Sequence, residues 1–289
     1  MKILFLGIFL VCLNTLTGST FDAITKYSSI NNYKWYHYYS IGGSVAICFF
    51  VIFLLSQESL KKNILLAKKE YYFLPVFRGL YFIAVLIIIF YSLQNLPINI
   101  FTTLLMTSPF FLLIFAKLIL KEKLNFISWI AIIIGFCGVL IVLQPNSSNI
   151  NVYIFLVLFV AISNALNFTL VSKYSYIASS YGFTFYQYIP LTIFSYVFFL
   201  NDPLLPSKKE FLLFASSGII VMISMWAFNA AYHIAGKYSS IISPFFFTQI
   251  IWGTLYGIIF FNEKINSLSL VGIIVIVVSG TIAIYNRDK

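Results

Sequence analysis

Long apolar runs alternate with short polar breaks along all 289 residues. Ten runs approach ~20 residues, the length at which a helix crosses the hydrocarbon of a bilayer. They fall at roughly 3–25, 34–55, 71–94, 98–120, 125–143, 151–173, 182–200, 210–233, 239–261 and 267–285. The breaks carry their own chemistry. Residues 57–70 (QESLKKNILLAKKE) and 201–210 (NDPLLPSKKE) are polar connectors, Asn95 and Pro97 make a tight turn, and 144–149 (QPNSSN) divides the chain near its middle.

The pattern repeats. KEKLN at 121–125 and NEKIN at 262–266 each end one apolar run and precede another, 141 residues apart. At the same offset Tyr91 falls on Tyr232, Ile100 on Ile241, Ser128 on Ser269 and Ile132 on Ile273. A long-range self-match at fixed offset signals a duplicated unit. The expected architecture is therefore all-α and integral to the membrane, with ten transmembrane helices in two five-helix repeats, 1–145 and 146–289. An odd number of spans per repeat forces the second to enter from the opposite side. The repeats are then inverted around a central cavity, the arrangement that permits alternating access.

Composition agrees with this reading. The chain is 61% hydrophobic and 9% charged, far below the ~25% charge of soluble domains. A net charge of +10 on a soluble protein would suggest nucleic acid, but here the basic residues sit at span ends, where they set topology and meet anionic lipid. With the N-terminus cytoplasmic, only Lys26, Lys34, Lys208, Lys209 and Lys264 fall outside and the other thirteen of eighteen fall inside. Both termini are then cytoplasmic. The apolar start after Lys2 has the look of a signal peptide, but 25–30 (TKYSSI) matches 172–177 (SKYSYI), and 35–39 (WYHYY) matches 185–189 (FYQYI). It is read as a retained first span. Richness in Ile, Asn, Lys, Phe and Tyr points to a bacterial host and its inner membrane.

Several short motifs resemble one family. They are FRG at 77–79 opening the third span, SP at 108–109 with Glu122 ending the fourth, SP at 243–244, and Glu263 followed by a span containing Gly272. In order and spacing these resemble the drug/metabolite transporter superfamily, specifically its EamA-type members. Members often carry an arginine early in span two; residues 35–40 (WYHYYS) have none. The resemblance implies an inner-membrane carrier whose cavity is lined by spans one, three, four, six, eight and nine.

Polar groups inside a bilayer cost free energy unless paired, so their positions are informative. Asn14 heads a stripe on span one. Asn164 and Asn167 share a face of span six. Met222, Trp226, Asn229 and His233 recur at helical spacing on span eight, and Gln249, Trp252 and Tyr256 on span nine. These four faces are expected to converge on one cavity with a mixed aromatic and amide lining, suited to a small amphipathic or zwitterionic solute. The same amides could instead only join neighbouring helices. Asp22 and Lys26, at i,i+4, read as a helix pair or as a titratable site. Asp22 and His37 are the candidates for proton coupling. Arg78, Glu122 and Glu263 are expected to serve as helix-end anchors, with Arg78 either snorkelling to the cytoplasmic surface or facing a substrate anion.

Cys12, Cys48 and Cys137 lie in apolar runs and offer neither disulfides nor metal spacing. No phosphate loop, nucleic-acid motif or paired mid-span carboxylate is present. The expectation is a secondary transporter rather than an enzyme, without cofactor or metal. It would move an amino acid or similar metabolite and act as a monomer or homodimer. The alternatives are a lipid-translocating protein and a non-transporting receptor or assembly subunit.

Overall fold

The computed structural model describes residues 2–55, 66, 68–121, 125–144, 151–174, 176–178, 180–235 and 242–285. Among them every regular element is helical. The α-helices are α1 (Lys2–Ile30), α2 (Trp35–Leu55), α3 (Phe73–Asn95), α4 (Ile98–Leu105), α5 (Ser108–Ile119), α6 (Phe126–Leu143), α7 (Val152–Lys173), α8 (Ser180–Asn201), α9 (Lys208–Ala235), α10 (Thr248–Phe261) and α11 (Ser267–Tyr285). Short 3-10 turns at Lys69–Tyr72 and Ser243–Phe247 precede α3 and α10. Among the described residues eight helical segments are long and apolar enough to cross a membrane, and Phe245–Phe261 and Ser267–Ala283 are shorter apolar helices. Large apolar side chains stand on the outside, among them Phe5, Phe73, Leu200 and Ile274. On a multi-pass membrane protein that surface faces lipid.

The expected fourth span is two helices, α4 and α5, broken at Met106 and Thr107. Pro109 is the cause: it lacks an amide proton and sits in the first turn of α5, where none is needed. Thr107 and Ser108 turn their hydroxyls back onto the carbonyls of Leu104 and Leu105, at 2.7 and 2.6 Å. Pro244 stands likewise in the first turn of the 3-10 segment before α10. The two breaks also share a packing device. The ring of Phe110 fills the space left by the missing side chain of Gly135, and that of Phe247 the space beside Gly280.

The repeated five-residue pattern folds alike where both copies are described. Lys121 and Asn262, its first residues, adopt left-handed backbone at φ 59° and 51°. Asn125 and Asn266, its last, cap the following helices. The Asn125 side chain accepts from the Ile127 amide at 3.3 Å and that of Asn266 from the Ser269 amide at 2.7 Å. Helix packing follows a matching scheme: α1 lies on α9 and α10, while α7 lies on α3, α4 and α5; α2 packs on α8, and α6 on α11. The last pair touches closely at Gly138 and Gly272, where a β-carbon on Gly138 would come 3.1 Å from the Gly272 carbonyl.

Candidate substrate-binding site

Polar side chains gather at three levels. The first is at the end of the bundle that holds the C-terminus of α1, here the Lys26 face. Lys26 is buried, and its Nζ stands 3.0 Å from Glu263 Oε1. It also donates to the Leu96 carbonyl at 2.6 Å and lies over the Phe261 ring. Helix α4 starts at Pro97, which provides no side-chain cap. Glu263 supplies it from across the bundle, accepting the amides of Ile98 at 2.8 Å and Asn99 at 3.4 Å. A carboxylate at a helix N-terminus satisfies orphan donors and meets the positive end of the helix dipole. Lys26 is buried and Glu263 mostly so, and both charges are compensated.

Around it lies an outer ring of weaker contacts. Asp202 Oδ2 accepts from Lys34 Nζ at 2.8 Å and from the Tyr36 hydroxyl at 2.6 Å. The Lys34 ammonium, with Tyr36, holds the Asp202 carboxyl below its usual pKa, and Asp202 raises that of Lys34 in return. His37 accepts the Lys34 amide at Nδ1, 3.2 Å, which leaves the proton on Nε2 to reach the Asp202 carbonyl at 2.7 Å. Glu210 accepts the Ser207 amide at 2.9 Å and Ser207 Oγ accepts the Glu210 amide at 3.4 Å, a reciprocal cap on α9. The Tyr33 hydroxyl also donates to Glu210. Burial first, and Glu210 second, push the Tyr33 pKa up to about 12.

The middle level joins α1 to α9 and α10. Asn14 donates to the Ser224 carbonyl and hydroxyl at 2.8 and 2.9 Å, and Ser224 returns a bond to the Asn14 carbonyl at 3.1 Å. Thr15 meets Thr248 and Thr20 meets Tyr256, each at 2.7 Å. Gln249 donates to Asp22 at 3.3 Å. The i,i+4 pairing expected of Asp22 with Lys26 is not formed. Lys26 is drawn to Glu263 instead, because one carboxylate there serves both the ammonium and two helix-start amides.

The third level, at the opposite end, is the Arg78 face. Arg78 is 7% exposed. The expected snorkelling is replaced by burial between α3, α7 and α8. Its Nε donates to Asn167 Oδ1, and the guanidinium lies 4.9 Å from the centroid of Phe183. Its Nη1 is buried without a hydrogen-bond partner, and among the described residues no carboxylate pairs with it. One turn along, the Tyr81 hydroxyl bonds Ser163 Oγ. Gly79 makes the approach of α3 to α8 possible, since a β-carbon there would come 2.9 Å from Pro190 Cγ.

Toward this same face lies a pocket of about 180 Å³, lined by Phe49, Phe50 and Phe53 of α2, Thr184 of α8, and Met222, Ile223, Met225 and Trp226 of α9. Its wall is aromatic and methionine-rich. Of the side chains singled out from the sequence, Met222 and Trp226 stand in it. Asn14, Gln249, Tyr256 and Asn167 bond neighbouring helices. Trp252 buries an indole N–H without a partner, and Asn164 is half-buried. Spans one, eight and nine meet at the middle level, while Asn167 of span six meets Arg78. The side chains of Asn229 and His233, and all of Glu122, lie outside the described residues. Tyr81, Ser163, Phe183, Ser224 and Asp202 escaped the sequence reading. Serines and tyrosines are too common here to stand out, but Asp202 is one of eight acids and that rarity was a usable signal.

Comparison with known proteins places this architecture. The sequence matches the EamA-like transporter family over residues 5–144 and 151–285. It is 24% identical to the S-adenosylmethionine uptake transporter of Rickettsia prowazekii, over 98% of this chain and 94% of that one. It is 30% identical to the riboflavin transporter of Vibrio cholerae over 55% of this chain and 53% of that one, and 23% identical to the pseudopaline exporter of Pseudomonas aeruginosa over 94% of each. A solved crystal structure shares the fold with a TM-score of 0.56 at 16% identity, covering 98% of this chain and 95% of that one.

Proposed function

We propose, from the premise that this chain belongs to the EamA-like transporter family of the drug/metabolite transporter superfamily, that it is a secondary carrier of an amphipathic, amino-acid-type metabolite. A small-molecule transporter is what the family and its named relatives support. The narrower substrate class rests on one observation: a buried guanidinium with an unused donor lies at the same end of the bundle as an aromatic pocket. S-adenosylmethionine, named for several relatives, combines an α-amino carboxylate with a flat aromatic base, and so fits such a pairing in kind.

The mechanism we propose is alternating access between two inverted halves, 1–145 and 146–289. The Lys26 face is the closed end, sealed by the Lys26–Glu263 pair, and the Arg78 face is the cytoplasmic, accessible end. Asp22, which has a glutamine as its partner and no cation, is the candidate for proton coupling. His37 is held between a backbone amide and a backbone carbonyl and suits a structural role better.

The test is counterflow in proteoliposomes loaded with amino acids, S-adenosylmethionine, riboflavin and nucleosides. The expected result is exchange of at least one zwitterionic member, lost in Trp226→Ala. Failure of every member would overturn the reading. Trp226 is 43% exposed, which favours lipid translocation as a second reading, so a fluorescent phospholipid belongs in the same panel.

A further inference from the structure

A guanidinium presents five N–H donors in one plane. At Arg78 one edge is committed, with Nε on Asn167, and the guanidinium lies over the ring of Phe183. The Nη1 donors are buried and unused. Tethering α3 to α7 through a single bond to Asn167 would need only an amide or hydroxyl, so tethering does not account for the charge. A charged group more than nine-tenths buried, with neither counterion nor full hydrogen bonding, is costly wherever it stays so. What completes such a fork best is a planar oxyanion, accepted by the donors that Nε does not use. Asn167 offers more: its oxygen is engaged, and its amide N–H group makes no hydrogen bond among the described residues.

Three consecutive residues of α8 lie between this fork and the pocket. Phe183 lies against the Arg78 guanidinium. Thr184 lines the pocket. Phe185 stacks on Phe50, another lining residue, with centroids 6.2 Å apart. The cation and the apolar pocket thus flank one turn of α8 on different faces of it.

We infer that Arg78, assisted by Asn167, is the binding site for the carboxylate of the transported solute, whose apolar body occupies the pocket walled by Phe50, Met222 and Trp226. This rests on the transporter reading above and narrows it to solutes with a free carboxylate. Phe183 keeps the guanidinium plane in place, and Gly79 allows α8 close enough to do so.

The experiment compares solutes that differ only in the carboxylate: methionine with 3-(methylthio)propylamine, tryptophan with tryptamine, and S-adenosylmethionine with its decarboxylated form. Binding to the purified full-length protein is read by thermal stabilisation as a function of concentration. Wild-type protein is expected to bind at least one carboxylate-bearing member about tenfold or more tightly than its amine, since a charge-assisted bond in a dry site is worth at least that ratio. In Arg78→Gln the two should bind alike, at the weaker level. Should that variant fail to fold, Arg78→Lys, which keeps the charge and loses the fork, should show a clearly smaller ratio. A ratio unchanged in either folded variant overturns the assignment and leaves the transporter standing, as does wild-type protein that binds both members equally. Wild-type protein stabilised by neither member of any pair removes the assignment together with the reading beneath it. Stabilisation by phosphatidylglycerol micelles that is lost in Arg78→Gln, without any carboxylate preference, would assign the fork to a lipid phosphate instead.

Discussion

At the Lys26 face a buried ammonium meets a mostly buried carboxylate, and each finds further partners: a carbonyl and a ring for Lys26, two helix-start amides for Glu263. At the Arg78 face a buried guanidinium meets one amide oxygen and one ring, and keeps a donor idle. Both faces lie among apolar helices of similar composition, so the surroundings do not explain the contrast. Burial of a charge is tolerable in a fold only when its partners are built in; where they are missing, the structure anticipates a partner from elsewhere. The first face is finished as architecture. The second becomes complete on binding.

The largest effect should come from breaking the finished face. Glu263→Ala leaves Lys26 buried without its counterion and strips the cap from α4. A loss of about 3–5 kcal/mol is expected, the range for removing one partner of a buried pair. Thermal or denaturant unfolding in detergent measures it. Adding Lys26→Ala to Glu263→Ala should recover part of that loss, because the stranded charge then disappears. Arg78→Met is the contrasting variant. It removes an uncompensated charge at the cost of one bond to Asn167, so its stability should stay within about 1 kcal/mol of wild type, while solute binding falls. A large loss for Arg78→Met with a small one for Glu263→Ala would invert the comparison.

A smaller effect is expected at the middle level. Asn14→Ala removes two bonds to Ser224 from the α1–α9 contact. Interhelical hydrogen bonds in membranes contribute about 0.6–2 kcal/mol. If Asn14 serves only to join helices, stability drops by that much and solute affinity does not change. If affinity falls tenfold with stability intact, Asn14 faces the solute in another conformation, and the middle level is part of the site.

The ten spans were legible because their lengths are set by the bilayer and their ends by polar breaks. The short self-match has a local counterpart in particular residues. Lys121 and Asn262 both take the left-handed turn, and Asn125 and Asn266 both cap the helix that follows. Local capping rules conserve local sequence, so a short self-match survives. The break between α4 and α5 could have been read from Pro109. The Lys26–Glu263 pair was half legible: charge bias placed both at the same face, but the nearer Asp22, at i,i+4, was the more obvious partner. Only the three-dimensional approach of α4, bringing two unsatisfied amides to Glu263, decides between them. Of the two readings of Arg78, the snorkelling one fails for a related reason. From the sequence Arg78 lies close to a helix end, where a long cationic side chain ordinarily reaches water. Gly79 beside it lets α8 close over that route, and no rule of spacing reveals that closure.

The mildest variant sharpens the comparison from the solvent side. Asp202 and Lys34 form an ion pair at the Lys26 face, but about half of each side chain is exposed, so water and salt weaken it. The folded-state pKa of Asp202 is lowered by Lys34 and Tyr36. Its contribution is therefore fully present above the unfolded carboxyl value of about 3.9 and is lost as pH falls through the lower folded value. Asp202→Asn should shift the melting temperature only slightly at neutral pH, and less still in 1 M salt. It should also flatten part of the acid-side decline below about pH 4. The clamp on His37 runs through the Asp202 backbone carbonyl and survives the substitution, which is why the change is small. Unfolding curves of both proteins between pH 3 and pH 6, at low and high salt, check this. An Asp202→Asn loss as large as that of Glu263→Ala would mean that the face is held by its exposed rim rather than by its buried pair.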